Sequence, residues 1–200
     1  MSAVLGVALL GLSLSVPAVG HAAAPAAAQP LGGQPVPGVC LLSQAAVVAN
    51  AKVGVAATQR LKQLADQAQA EVNALRAPLD ADAKALEGQR ATLKPADFQA
   101  KQQALGGRLQ TLQQTAQARS RQIELTREKA LGMIASAAQP VIAQAYKAHG
   151  CGLLVDRNTV LGGNMANDLT AAVVQGLDAQ MATINFDLAP LPAQTASAAH

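Results

Sequence analysis

Between Val55 and Val141 the larger apolar residues recur at steps of three, four and seven. Leu61, Leu64, Ala68, Val72, Leu75, Leu79, Leu86 and Leu93 form one run, and Phe98, Leu105, Leu109, Leu112, Ala116 and Ile123 form a second. Such a stripe covers a seam against one partner helix and is too narrow to face a globular interior. The runs are separated by Leu93-Lys94-Pro95-Ala96-Asp97. There Pro95 disfavours helix at Lys94, and Asp97 supplies a turn or an early negative charge for the next helix. The pattern predicts an antiparallel helical hairpin over residues 58–138, doubled back near Pro95, with arms on the order of 50 Å long. Pro78 removes a backbone hydrogen bond from the first arm, and Gly106-Gly107 weaken the second. In a pair folded about residue 95, position 78 faces roughly position 112, so Pro78, Gly106 and Gly107 are hinge candidates. The plain alternative is that tolerated helix breakers fell near one another by chance.

The pattern changes on either side of the hairpin. Gly38-Val39-Cys40-Leu41-Leu42-Ser43 reads as a buried strand ending in a residue suited to cap a helix from about Gln44, with Gly54 a weak point near its start. Pro140 and then His149-Gly150 are expected to end the second arm. Gly152 to Asp156 is a second strand, Arg157-Asn158 a turn and Thr159-Val160-Leu161 a third strand. Asn167-Asp168 caps a helix from Leu169 to about Met181, and Ile184 to His200 adds an extended segment with a disordered end. Early and late strands must meet, because neither hides its apolar face alone. The predicted class is therefore α+β, mostly α. A small β-rich oligomerisation body, residues 38–57 and 139–182, is interrupted by a long antiparallel coiled-coil hairpin, and residues 183–200 form a tail. Val39, Leu41, Leu153, Leu154 and Val155 are the candidate sheet residues of that body.

Composition turns this outline towards an assembly. Half of the residues are hydrophobic but only 2% are aromatic. Alanine buries little area per residue, so a large monomeric core is not expected and stability should depend on association between chains. Ala3 to Val19 is apolar and is followed by Gly20-His21 and a small-residue run, as in an export signal. We expect a signal peptide over residues 1–28, cleaved after about residue 22–28, then a flexible leader over residues 29–37. Only Met1-Ser2 precede the apolar run, so either the terminal amine serves alone or the true start lies upstream. A retained anchor is the alternative, but the run contains Gly6, Gly11 and Pro17 and falls short of the roughly 20 residues that span a bilayer.

The charge is uneven. Lys52 to Lys147 carries 14 Lys and Arg against 8 Asp and Glu, an excess of six on the hairpin, whereas Arg157 stands against Asp156, Asp168, Asp178 and Asp187. Nucleic acid, anionic lipid or a client chain could use that excess. Export and the lack of an aromatic stacking platform argue against nucleic acid. Weak contact with an anionic membrane surface stays open. Cys40 and Cys151 would come within disulfide reach if their strands pair, and in an exported chain two cysteines are more often bonded than free; two buried thiols are the alternative. His149 lies near Cys151 but lacks companions for a zinc site. Asp156, Arg157 and Asp168 read as turn and cap residues. No phosphate loop, nucleophile elbow or paired-carboxylate site is visible, so neither enzymatic activity nor a cofactor is expected.

Taken together, the export signal, Val39-Cys40-Leu41-Leu42, the hairpin, the segment Gly152 to Leu161 and Asp168-Leu169-Thr170 resemble the Skp/OmpH family of periplasmic chaperones over about residues 38–181. The resemblance implies a periplasmic homotrimer with a β-rich body and three arms, which holds unfolded outer-membrane proteins without nucleotide. It also implies client contact on the arms, for which Lys84, Arg90, Lys94, Lys101 and Arg108 are the candidates. The hairpin is less basic than is common in that family, so lipopolysaccharide binding is not carried over. The competing reading is a structural or adaptor coiled-coil protein of the envelope. Efflux-type adaptors flank their hairpin with larger β domains than the fifteen or so residues between leader and helix here allow.

Overall fold

The structure, a computed structural model, describes residues 32–192. The expected export signal, the first residues of the leader and the last eight residues of the tail lie outside the described residues. The elements run β1 (Val39–Leu42), α1 (Gln44–Asn50), α2 (Lys52–Gly88), α3 (Pro95–Ala148), β2 (Leu153–Asp156) and α4 (Thr170–Gln180). The fold is mostly α with a small two-stranded sheet. At 1.5 Å per residue, the 37 residues of α2 extend about 55 Å and the 54 residues of α3 about 80 Å.

Strands β1 and β2 pair in parallel, with Val39 opposite Leu153, Cys40 opposite Leu154, Leu41 opposite Val155 and Leu42 opposite Asp156. The connection between them is the whole hairpin, so its two helices return the chain to the edge it left. The other edge of β1 meets the residues before α4. Leu41 N–H donates to the Asn167 carbonyl at 3.0 Å, and Leu169 N–H donates to the Leu41 carbonyl at 2.8 Å. No strand forms at Thr159-Val160-Leu161, contrary to the β-branched pattern there. The Asp156 carboxylate accepts the Asn158 N–H at 2.9 Å and starts a single 3₁₀ turn over Arg157–Thr159, while Leu161 lies fully exposed. A side-chain turn formed locally has displaced the ladder.

The packed core gathers Cys40, Leu42, Val47, Val53, Ile134, Val141, Leu169, Val173, Leu177 and Ile184. It joins β1 and α1 to the lower turns of α2 and α3 and to α4. Ser43 caps α1, accepting the Ala46 N–H at 3.2 Å. Ala51 is extended, with ψ 143°, and breaks the helix so that α2 leaves on a new axis. The start of α2 has no local cap; the Asp178 carboxylate of α4 accepts the Lys52 N–H at 2.7 Å instead. Gly54 proves to be a packing position, since a Cβ there would collide with the Val48 carbonyl.

Pro140 does not end the second arm. α3 runs through it to Ala148, because Ala138, Val141 and Ala145 on the neighbouring turns are buried and tertiary packing outweighs the lost hydrogen bond. Gly150, with φ +62°, then closes the helix in the left-handed conformation. At the far end, Gln89–Lys94 turn the chain, Pro95 stands in the first turn of α3, and Asp97 provides its early negative charge.

Candidate functional site

Two surfaces invite a role: the arm pair and the small sheet at its base. Along α2 the seam residues Leu64, Ala68, Val72, Leu79 and Leu86 are buried against α3. Their partners Leu105, Leu112, Ala116 and Ile123 are half-buried. Leu75 and Leu109, expected in the stripe, are 45% and 44% exposed. The seam is thus narrower than the stripe suggested, and the arms keep an apolar component on their outer surface.

Two ion pairs cross the seam. Arg119 grips Glu71 with two parallel hydrogen bonds, 2.8 and 2.7 Å, and Arg108 pairs with Asp82. The hydrogen bonds from Arg119 hold the Glu71 carboxyl below its ordinary range, and the same bonds raise the guanidinium. The partners lie 48 and 26 residues apart, and both pairs are centred on position 95. That is the mirror relation by which position 78 was expected to face position 112. Pro78 does line one groove with Leu112, Arg108 and Thr115, of about 250 Å³. α2 and α3 remain helical through Pro78 and through Gly106-Gly107, and the space around both glycines is open.

Among the five basic client candidates, Arg108 is matched by Asp82, and Arg90 is held at the tip by Glu87 at 3.1 Å and by the Phe98 ring, 5.8 Å from its centroid. Lys84, Lys94 and Lys101 are exposed. Lys101 lines an open groove near the tip with Asp82, Leu86, Leu105 and Arg108, of about 360 Å³. Among the described residues no group of three or more His, Cys, Asp or Glu could hold a metal, and no helix is long and apolar enough to cross a membrane.

At the base, Cys40 of β1 and Cys151 just before β2 are joined in a disulfide, with Cα atoms 5.8 Å apart and a sequence separation of 111. Leu41 is buried and Val39 half-buried, whereas in β2 Leu153 is 55% exposed and Leu154 and Val155 are half-buried. Arg157 donates to Asp168 at 2.7 Å, and Asp168 accepts the Thr170 N–H at 2.8 Å at the start of α4. Partial burial works against the Asp168 charge, but the bonds from Thr170 and Arg157 outweigh it and keep this carboxyl below its usual range.

The tail does more than the sequence suggested. After α4 it crosses back over both arm helices, with Ile184 buried and Phe186 packed against the core. Arg60 of α2 holds Asp187 at 2.8 Å, and Gln122 and Thr126 of α3 bond to Ala189. The alternation Ile184-Asn185-Phe186-Asp187-Leu188 was the available signal for it.

Strand, long hairpin, strand and closing helix match a known pattern: the family described as outer membrane protein (OmpH-like) matches residues 38–177. The chain belongs to the OmpH-like family. A crystal structure from Caulobacter crescentus CB15, described as a candidate outer membrane chaperone (OmpH-like), is 35% identical in sequence. That similarity covers 82% of this chain and 96% of the other, with a TM-score of 0.75. No curated protein matches. Within the OmpH-like family region lie β1, the hairpin, β2 and most of α4.

Proposed function

We propose that this OmpH-like protein is an exported, periplasmic holdase. It keeps unfolded outer-membrane proteins soluble between its arms without nucleotide, assembles as a homotrimer through its sheet, and is not an enzyme. The observation that carries the reading is a parallel sheet, left partly exposed along β2, at the base of two long rods. Parallel sheets are normally covered on both faces. Here Leu153 is 55% exposed, and among the described residues no strand pairs with the outer edge of β2. Copies of the chain that covered this face would bring several arm pairs together around one space.

Arms of this composition suit a mobile client. They offer open grooves, scattered leucines and exposed lysines instead of an enclosed pocket. Many weak contacts retain a disordered chain by mass action while allowing it to move. Lys84, Lys94 and Lys101 are the residues we assign to client contact, and bending near Pro78 and Gly106-Gly107 would adapt the space to clients of different size. The division of labour is a body, residues 38–57 and 139–182, that assembles, and an arm, residues 58–138, that holds.

The test is dilution of a urea-denatured porin into purified protein, followed by light scattering. Suppressed aggregation at a few-fold excess is expected. Unchanged scattering would leave only a structural or adaptor role. Deleting residues 70–120 should abolish holding and spare the oligomer; loss of both would refute the division of labour.

A further inference from the structure

We infer that the C-terminal segment Ile184–Ala189 fills a seat for extended polypeptide at the base of the arms, and that an unfolded client competes with it there. The client half rests on the holding role proposed above. Three of the four polar contacts to this segment address its backbone. Arg60 Nε donates to the Phe186 carbonyl at 3.0 Å, Thr126 Oγ1 accepts the Ala189 N–H at 2.9 Å, and Gln122 Nε2 donates to the Ala189 carbonyl at 3.1 Å. Gln122 and Thr126 stand one turn apart on α3, so both backbone groups of a single residue are bonded by side chains of one helix face. The Thr126 hydroxyl gives its own proton to the Gln122 carbonyl at 2.6 Å, which orients its oxygen as an acceptor. The fourth contact, Arg60 to Asp187, reads a side chain, but that carboxylate is 93% exposed and adds little selectivity.

A surface that bonds to backbone holds a chain whatever its sequence, provided that the chain is extended. The remaining requirement is apolar. Ile184, Phe186 and Leu188 turn inward in some degree while Asn185 and Asp187 are exposed, a period of two. Strands of outer-membrane barrels alternate in the same way. The segment therefore has the pattern of the proposed clients and lies where one could lie.

The experiment uses the chain lacking residues 183–200 and a fluorescent peptide of residues 183–192, read by anisotropy. If the tail leaves its seat open about a tenth of the time, the truncated chain binds the peptide about tenfold more tightly than the full chain. Denatured porin should displace it. Thr126→Val in the truncated chain should weaken the peptide about fivefold, the usual worth of one hydrogen bond. Because Ile184 belongs to the core, the full chain carrying Ala189→Pro is the second variant. It removes a single N–H, and its peptide binding should lie between the other two. A truncated chain with native helical content that binds no peptide would overturn the seat. Peptide that stays bound while porin is held would overturn the competition and leave the holding role intact. Porin held by none of these forms would sink the holding role and the competition with it.

Discussion

At the packed end of the molecule Val53, Ile134, Leu169, Val173 and Leu177 have no accessible surface, while along the outer arms, from Phe98 to Ile123, the second helix contributes only half-buried residues to its seam. The buried positions of both regions are drawn mostly from alanine, leucine and valine, so the residue types there do not separate them. Layering does. At the base, residues of β1, α1, α2, α3 and α4 share one core, whereas beyond the crossing of the tail each arm helix has one neighbour. A side chain covered on all sides contributes its full transfer energy, and one covered on a single side contributes a fraction. The lesson is that one alphabet makes a firm anchor or a pliant rod according to how many elements meet.

That contrast can be broken most forcefully at the disulfide. A closed loop of about 100 residues is worth about 4.7 kcal/mol in the chain-entropy account, so Cys40→Ala with Cys151→Ala should lower the urea midpoint more than any single truncation in the arms. Next in size is a matched pair of truncations. Ile134→Ala should cost about 2–5 kcal/mol, and Leu79→Ala, beside the open groove at Pro78, should cost at most about half as much because that site can collapse. Equal losses in denaturant titrations would erase the distinction between anchor and rod.

A smaller effect is expected at the start of α4, where Leu169 is the N-cap and Asp168 stands just before it; Asp168→Ala should cost about 1 kcal/mol as the lost hydrogen bond from the Thr170 N–H. Its pH dependence has a definite sign. The folded carboxyl lies below its unfolded range, so its contribution is complete above about pH 4 and is lost as the pH falls through the folded value. Wild type and variant should therefore converge in stability in strong acid. The Glu71–Arg119 bridge should give the smallest change. Glu71 is exposed and Arg119 only half-buried, so salt screens the pair and a double-mutant cycle in thermal melts should show weak coupling that fades at high ionic strength.

Much of this layout was legible in the sequence, because the spacing of leucines reports a helix pair and Pro95 reports its turn. Even the cross-arm ion pairs were within reach. Glu71 with Arg119 and Asp82 with Arg108 are opposite charges at mirrored positions about residue 95, the relation that set Pro78 against Leu112. What could not be read depended on distant neighbours. Pro140 is carried inside a helix by burial on adjacent turns, Gly54 is demanded by the Val48 carbonyl, and α2 borrows its cap from Asp178. At Val160 the residue types suited a strand, but the nearby edge of β1 is taken by the chain around Asp168. Strand preference expresses itself only where an edge is free.

The register that sets Val39 against Leu153 also fixes a timetable. The whole hairpin lies between the two strands in sequence, so the first strand cannot pair until both helices have brought its mate back. Helix growth is local and fast, so the rods should zip from their turn downward and deliver both strands to each other last. Stopped-flow refolding in which the cysteine crosslink precedes the helical signal would reverse that order. The far tip, remote from every strand, is then the place where assembly begins.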